Sequence, residues 1–189
     1  MLRGLWCTCA FAGCVLTASV PSGAQEVIHA LTGTVSAINE TTKTITVLQD
    51  NGSNGVFQEM SDPKKRIAFD KRVADETTAA REFNKSGAYA IIFYFGGSEN
   101  PTAVALKSLG AGPFESTVGT VTKVEGHKSI TVVDNSGALH TFKIDKDTVA
   151  EGGFGAVVGE KFSVNKGDQV RVVSGTVGGE STALFMRDM

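Results

Sequence analysis

Two stretches of the chain alternate apolar and polar residues with a period of two, Thr44-Ile45-Thr46-Val47 and Ser129-Ile130-Thr131-Val132. Their β-branched side chains and alternation predict strands with one buried face. Asp50-Asn51-Gly52 and Asn135-Ser136-Gly137 follow, and Asn and Gly accept the positive φ that hairpin turns need. Phe57 and Phe142 then mark third strands, residues 88–95 and 170–173 fourth strands, and residues 103–109 and 183–189 closing strands.

The same pattern thus occurs twice. Gly33-Thr34-Val35 matches Gly119-Thr120-Val121, and the shared register carries Gly52 onto Gly137 and Phe57 onto Phe142. After one change of offset, Lys85-Ser86-Gly87 matches Asn165-Lys166-Gly167, and Thr102-Ala103-Val104 matches Thr182-Ala183-Leu184. Repeated blocks in unchanged order point to internal duplication.

Between the third and fourth strands the copies diverge. In the first, Val73, Ala80 and Phe83 recur at helical spacing and Asp75 and Glu76 suit a first turn, which predicts a helix near 74–84. In the second, the link Glu151-Gly152-Gly153-Phe154-Gly155 leaves room for a short helix or none, and the Gly-rich run onward to Gly159 reads as a flexible connection. Three strands, a link and two strands is the order of an OB-like barrel, whose closure removes exposed edges. The expected fold is all-β with a minor helix, two tandem small OB-like β-barrel modules at 25–110 and 118–189 joined by a linker at 111–117.

One strand breaks the alternation. Residues 88–95, Ala-Tyr-Ala-Ile-Ile-Phe-Tyr-Phe, are apolar on both faces, whereas Val170-Arg171-Val172 alternates. A bare apolar face of this size invites association. Tyr89, Ile91, Phe93 and Phe95 therefore form a candidate interaction surface, to be covered by the helix, the sister module, another subunit or a partner.

The N-terminus carries Arg3, an uncharged stretch over 5–20, then Pro21-Ser22-Gly23-Ala24, whose small residues suit cleavage before Gln25. Residues 1–24 read as a signal peptide for export to the periplasm or beyond. The alternative is a lipoprotein anchored through Cys14, since Phe11-Ala12-Gly13-Cys14 is similar to a lipobox. Either reading leaves no transmembrane span in the mature chain. Cleavage before Gln25 removes Cys7, Cys9, Cys14 and Trp6, which sets aside disulfides, thiolate chemistry and cysteine metal ligands. The net charge of −2 sets aside general attraction to nucleic acid.

The Gly119-Thr120-Val121 start, the Thr131-Val132 strand and Gly167-Asp168-Gln169-Val170 before the fourth strand resemble a group of exported bacterial proteins built from repeated small OB-like β-barrel domains of unassigned function. Ala88 replaces the Asp in the first copy. The resemblance implies fold and address, and it brings no catalytic residues.

Candidate chemistry is sparse. His127 and His140 flank a strand of about 20 Å at roughly 3.3 Å per residue, too far to share a metal, and His140 reads as a rim histidine satisfied by backbone or water. His29 precedes the first strand. Asp50 begins a superficially calcium-like loop, but Gly52 stands at its third position and Ser61 at its twelfth, so a hairpin turn is expected. No cofactor, metal or catalytic set is expected. Lys64, Lys65, Arg66, Lys71 and Arg72 form a basic cluster that suits an anionic polymer. The leading expectation is a non-catalytic exported module that binds an envelope protein or itself. The alternatives are an anionic-polymer binder through residues 64–72 and a hydrolase with an unrecognised carboxylate pair.

Overall fold

The computed structural model describes residues 26–60 and 70–189. Module 1 contains β1 (His29–Asn39), β2 (Thr44–Gln49), β3 (Asn54–Glu59), α1 (Lys71–Asp75), β4 (Thr78–Ala79), β5 (Tyr89–Phe95) and β6 (Thr102–Ser108). Module 2 contains β7 (Glu115–Glu125), β8 (Ser129–Asp134), β9 (Leu139–Lys143), β10 (Val149–Gly152), β11 (Gly155–Val158), β12 (Gln169–Val177) and β13 (Glu180–Asp188). The expected signal peptide at 1–24, Cys14, and Lys64, Lys65 and Arg66 of the basic cluster lie outside the described residues.

Each module closes into a ring by the same pairings. β1, β2, β3, β6 and β5 follow one another around the first, and β7, β8, β9, β13 and β12 around the second. The closing pairs, β3 with β6 and β9 with β13, are parallel, and the other ring pairs are antiparallel. This is the OB-like order. The alternating apolar residues fill the rings: Val35, Ile45, Val47, Phe57, Ala90, Ile92 and Leu106 in module 1, and Val121, Ile130, Val132, Phe142, Val170, Val172 and Met186 in module 2.

The match extends to irregularities. β1 bulges between Val35 and Ala37 and β7 between Val121 and Lys123. In each bulge a hydroxyl, of Ser36 or Thr122, donates to a carbonyl on the neighbouring strand at 3.2 Å, that of Thr46 or Thr131. The fourth strands shift register between Phe93 and Tyr94 and between Val173 and Ser174. Gly33 and Gly119 are required for the same reason. A Cβ at Gly33 would lie 2.5 Å from the Leu48 carbonyl oxygen, and one at Gly119 would lie 2.1 Å from that of Val133.

The linking segments depart from expectation. The helix predicted near 74–84 is instead the short α1, capped by the Asp70 carboxylate, and a separate 3-10 turn at Ala80–Glu82. Between them Thr78 and Ala79 are extended because β6 offers an open edge to pair with. The helical spacing misled because its side chains serve different cores: Ala80 and Phe83 enter barrel 1, while Val73 packs outside it. The flexible connection expected after Glu151 is the hairpin β10–β11, held to β13 by parallel pairing. β7 begins at Glu115, inside the expected 111–117 linker, because residues from Glu115 onward pair with β12.

Candidate functional site

The two barrels are joined along an apolar seam. Ala30, Val73, Ile91 and Phe93 of module 1 pack against Val149, Val158, Val173 and Phe185 of module 2, with Tyr89, Leu109, Phe114 and Ala156 at the margin. Along β5, period-two geometry sends Ala90 and Ile92 into the barrel and Ile91 and Phe93 into the seam. The candidate interaction surface is thereby corrected for Ile91 and Phe93, which are 0% and 1% exposed and unavailable to an outside partner. Tyr89 and Phe95 are half-buried, and the Tyr89 ring stacks on Phe114 with centroids 5.1 Å apart.

Polar groups surround this layer and also cross it. At one side the Glu151 carboxylate, 7% exposed, accepts from His29 Nδ1 and from the Ala30 backbone N–H, each at 2.7 Å. Burial pushes this carboxyl up while those hydrogen bonds oppose the shift. The His29 ring also lies 5.7 Å from that of Tyr94. Nearby, the Ala156 N–H donates to the Ile28 carbonyl at 2.7 Å, tying the β11 edge to the entry of module 1.

A second group centres on Asp50, which the sequence assigned only to a turn. It accepts from Thr32 Oγ1 at 2.5 Å and from the Tyr89 hydroxyl at 2.9 Å, and it lies 3.7 Å from Arg171 of module 2. Burial, with the Asp50 charge beside it, pushes the Tyr89 phenol above its usual range. Arg171 occupies the polar position of the alternating Val170-Arg171-Val172 stretch, yet its side chain is 13% exposed. The seam has taken the outer face of β12 as well.

A third group is built on Lys107, which reaches the Asp147 carbonyl at 2.7 Å and Glu76 at 2.5 Å. Burial and the adjacent Glu76 carboxylate push the Asp147 carboxyl up. Glu76 and Asp147 are thus carboxyls in direct contact, closer than the spacing that a hydrolytic carboxylate pair uses; Lys107 holds Glu76 in an ion pair, and neither acid lines the seam cavity.

That cavity, about 300 Å³, opens between α1 and β11. Val73, Phe93, Ala156, Val157 and Val158 make it apolar, and Asp70 and Lys161 meet across it at 3.2 Å. The Arg72 backbone N–H and the Lys161 ammonium hold the Asp70 carboxyl below the usual carboxylate range. Arg72, from the basic cluster, bridges to Glu160 of module 2 at 3.2 Å, while Lys71 is exposed. Both described members of that cluster are therefore exposed, and one of them is spent on an ion pair between the modules.

The remaining histidine expectations resolve simply. His140 Nε2 donates to Asp134 at 2.8 Å, so a carboxylate satisfies it in place of backbone or water, and its ring stacks on Phe142. The Ser136 hydroxyl and the His140 ring hold the Asp134 carboxyl well below its usual range. Among the described residues no group of His, Cys, Asp and Glu is placed to hold a metal, and no helix is long and apolar enough to cross a membrane. Of the seam groups, Val73 and Arg171 carried a sequence signal only as a helix face and a polar strand face. Glu151 and His29 carried none, since their pairing spans most of the chain.

No family model and no curated protein matches the chain. The solved structure of apo-CusF residues 6–88 from Escherichia coli is similar to part of it, at 17% identity and a TM-score of 0.33, covering 43% of this chain and 94% of that one. The OB-like fold stands on this chain's own strand pairings.

Proposed function

We propose that the chain is an exported, non-catalytic binding module whose ligand site is the cavity where its two barrels meet. The observation that supports this reading is a pocket of about 300 Å³, apolar in its walls and carrying a single Asp70–Lys161 pair. Small-molecule sites favour junctions between domains, mostly apolar walls and a few convergent polar groups, and this volume is at the lower end of their range. The fitting ligand is a small molecule with an apolar body and one ionic end, which exchanges for one member of the pair. Lys161 is the member free to move, since its side chain is 65% exposed against 22% for Asp70. Export is supported by the leader-like pattern of residues 1–24.

The test is thermal denaturation with short-chain alkyl carboxylates and alkyl amines in parallel, against the wild type and Ala156→Leu. A ligand that binds only the folded state raises the melting temperature by mass action. The larger side chain at 156 fills the cavity and should abolish the rise. An equal rise in both proteins, or no rise with either series, rejects the cavity as the site.

A further inference from the structure

Lysine is rarely buried, and its amine is a good nucleophile once it has lost its proton. The Lys107 side chain is 11% exposed. Its Nζ reaches Glu76 Oε2 at 2.5 Å and donates to the Asp147 carbonyl at 2.7 Å, while the Asp147 carboxyl is itself hydrogen-bonded to that of Glu76. One carboxylate completes an ion pair with one ammonium. The second acid is surplus to that pairing.

The fold holds each of these groups in place. β4 pairs with β6, Thr78 beside Leu106, so Glu76, two residues before Thr78, is delivered to the strand that carries Lys107. Leu106 fills barrel 1, and Lys107 lies beside Ile91, whose side chain is in the seam. Alternation therefore turns Lys107 toward module 2. There the turn between β9 and β10 presents Asp147, with its N–H and that of Thr148 donating to Asp145 Oδ1 at 2.9 and 3.1 Å. An amine at hydrogen-bond distance from a carboxylate oxygen is about 3–3.5 Å from the carboxylate carbon, the separation of a near-attack arrangement.

We propose that Lys107 and Glu76 condense to an isopeptide bond, with Asp147 relaying the proton. The Lys107 ammonium first gives a proton to the Glu76 carboxylate, which leaves a neutral amine beside a carboxylic acid. Nζ then attacks Cδ of Glu76. Asp147 takes the surplus amine proton on one oxygen as it gives its own from the other to the departing hydroxyl. The Cδ–Nζ bond forms, one Cδ–O bond breaks and a water leaves, so an ammonium and a carboxylate become an amide and water with no other reagent. The Glu76 side chain is 38% exposed, which gives that water a way out. The two acids are in the states these roles need. Burial and the adjacent Glu76 push the Asp147 carboxyl up, toward the protonated donor, while hydrogen bonds from Lys107 and Asp147 hold the Glu76 carboxyl below its usual range against the effect of burial. The product ties the segment after α1 covalently to β6 and replaces two charges beside the seam with a neutral amide.

Mass spectrometry of the purified chain, unfolded in denaturant, reads the bond directly. The wild type should be lighter by one water than its sequence requires, and digestion should release a branched peptide joining residues 76 and 107. Lys107→Arg and Glu76→Ala should each restore the full mass. Asp147→Asn keeps a hydrogen bond to Glu76 but relays no proton, and it should also have the mass of the uncondensed chain. Wild-type protein at its full mass overturns the proposal, and that measurement requires no variant to fold. A water loss that persists in Lys107→Arg overturns it as well, as does a branched peptide that joins Lys107 to Asp147. A water loss that persists in Asp147→Asn overturns the proton relay.

Discussion

The two modules share a ring order, a bulge, a register shift and a pair of close-approach glycines, yet equivalent positions in them do different work. Asp50 and Asn135 hold the same place after the second strand, as the matching turn hydrogen bonds from Gly52 to Gln49 and from Gly137 to Asp134 show. Asp50 is drawn into the seam by Thr32 and Tyr89, whereas Asn135 is exposed. The barrel mouths differ too. His140 covers Phe142 in module 2, while the equivalent Gly55 leaves Phe57 to pack edge-on against Tyr94 in module 1. The links differ most: a short helix and an edge strand in one, a hairpin in the other. What recurs is what a closed barrel requires, and what differs is what the joint between barrels uses.

The largest effect should come from breaking the joint on its apolar side. Phe93→Ala removes a fully buried ring from the seam, at about 3–5 kcal/mol. Calorimetry should show one unfolding transition for the wild type and two for the variant, because the barrels lose the contact that couples them. Phe142→Ala, inside barrel 2, should cost a similar amount without splitting the modules in the same way. A single transition in Phe93→Ala would mean that the polar groups suffice to couple the barrels.

A smaller effect separates the two turns. Asp50→Asn weakens two charge-assisted hydrogen bonds and leaves Arg171 without its counter-charge, and about 2 kcal/mol should be lost. The converse change at the matched position, Asn135→Asp, lies in solvent and should stay within about 0.5 kcal/mol. Urea unfolding of both variants checks the contrast, and equal losses would remove it.

The smallest effect is a slope. Glu151 has a folded-state pKa above its ordinary value of 4.5, with burial as the first cause. Its contribution to stability is therefore complete below 4.5 and is lost as pH rises through the raised value. Glu151→Gln should remove that part of the pH dependence while keeping an acceptor for the Ala30 N–H. The difference in unfolding free energy between wild type and variant, followed from about pH 4 to about pH 8, should change in the variant's favour as pH rises. The opposite sign would mean that the His29 and Ala30 hydrogen bonds outweigh burial.

The barrels themselves were legible in the sequence because a half-buried strand writes its period into every second residue. Ile45 and Val47, Ile130 and Val132, and the glycines at 33 and 119 could hardly serve another purpose. The spacing of Val73, Ala80 and Phe83 predicts one helix where two short elements form, because spacing counts residues and not the cores they enter. The double-sided apolar stretch at 88–95 announced that something covers it without saying what.

Local pattern thus determined two closed rings, their strands and their interiors, since each depends on neighbours close in sequence or on alternation that any barrel interior imposes. Only the tertiary structure decided that the second face of β5 meets β12, that Arg171 and Asp50 lie together, and that Glu151 reaches back to His29. Those contacts depend on how one barrel is set against the other, and the rigid-body relation of two closed surfaces leaves no period in the chain.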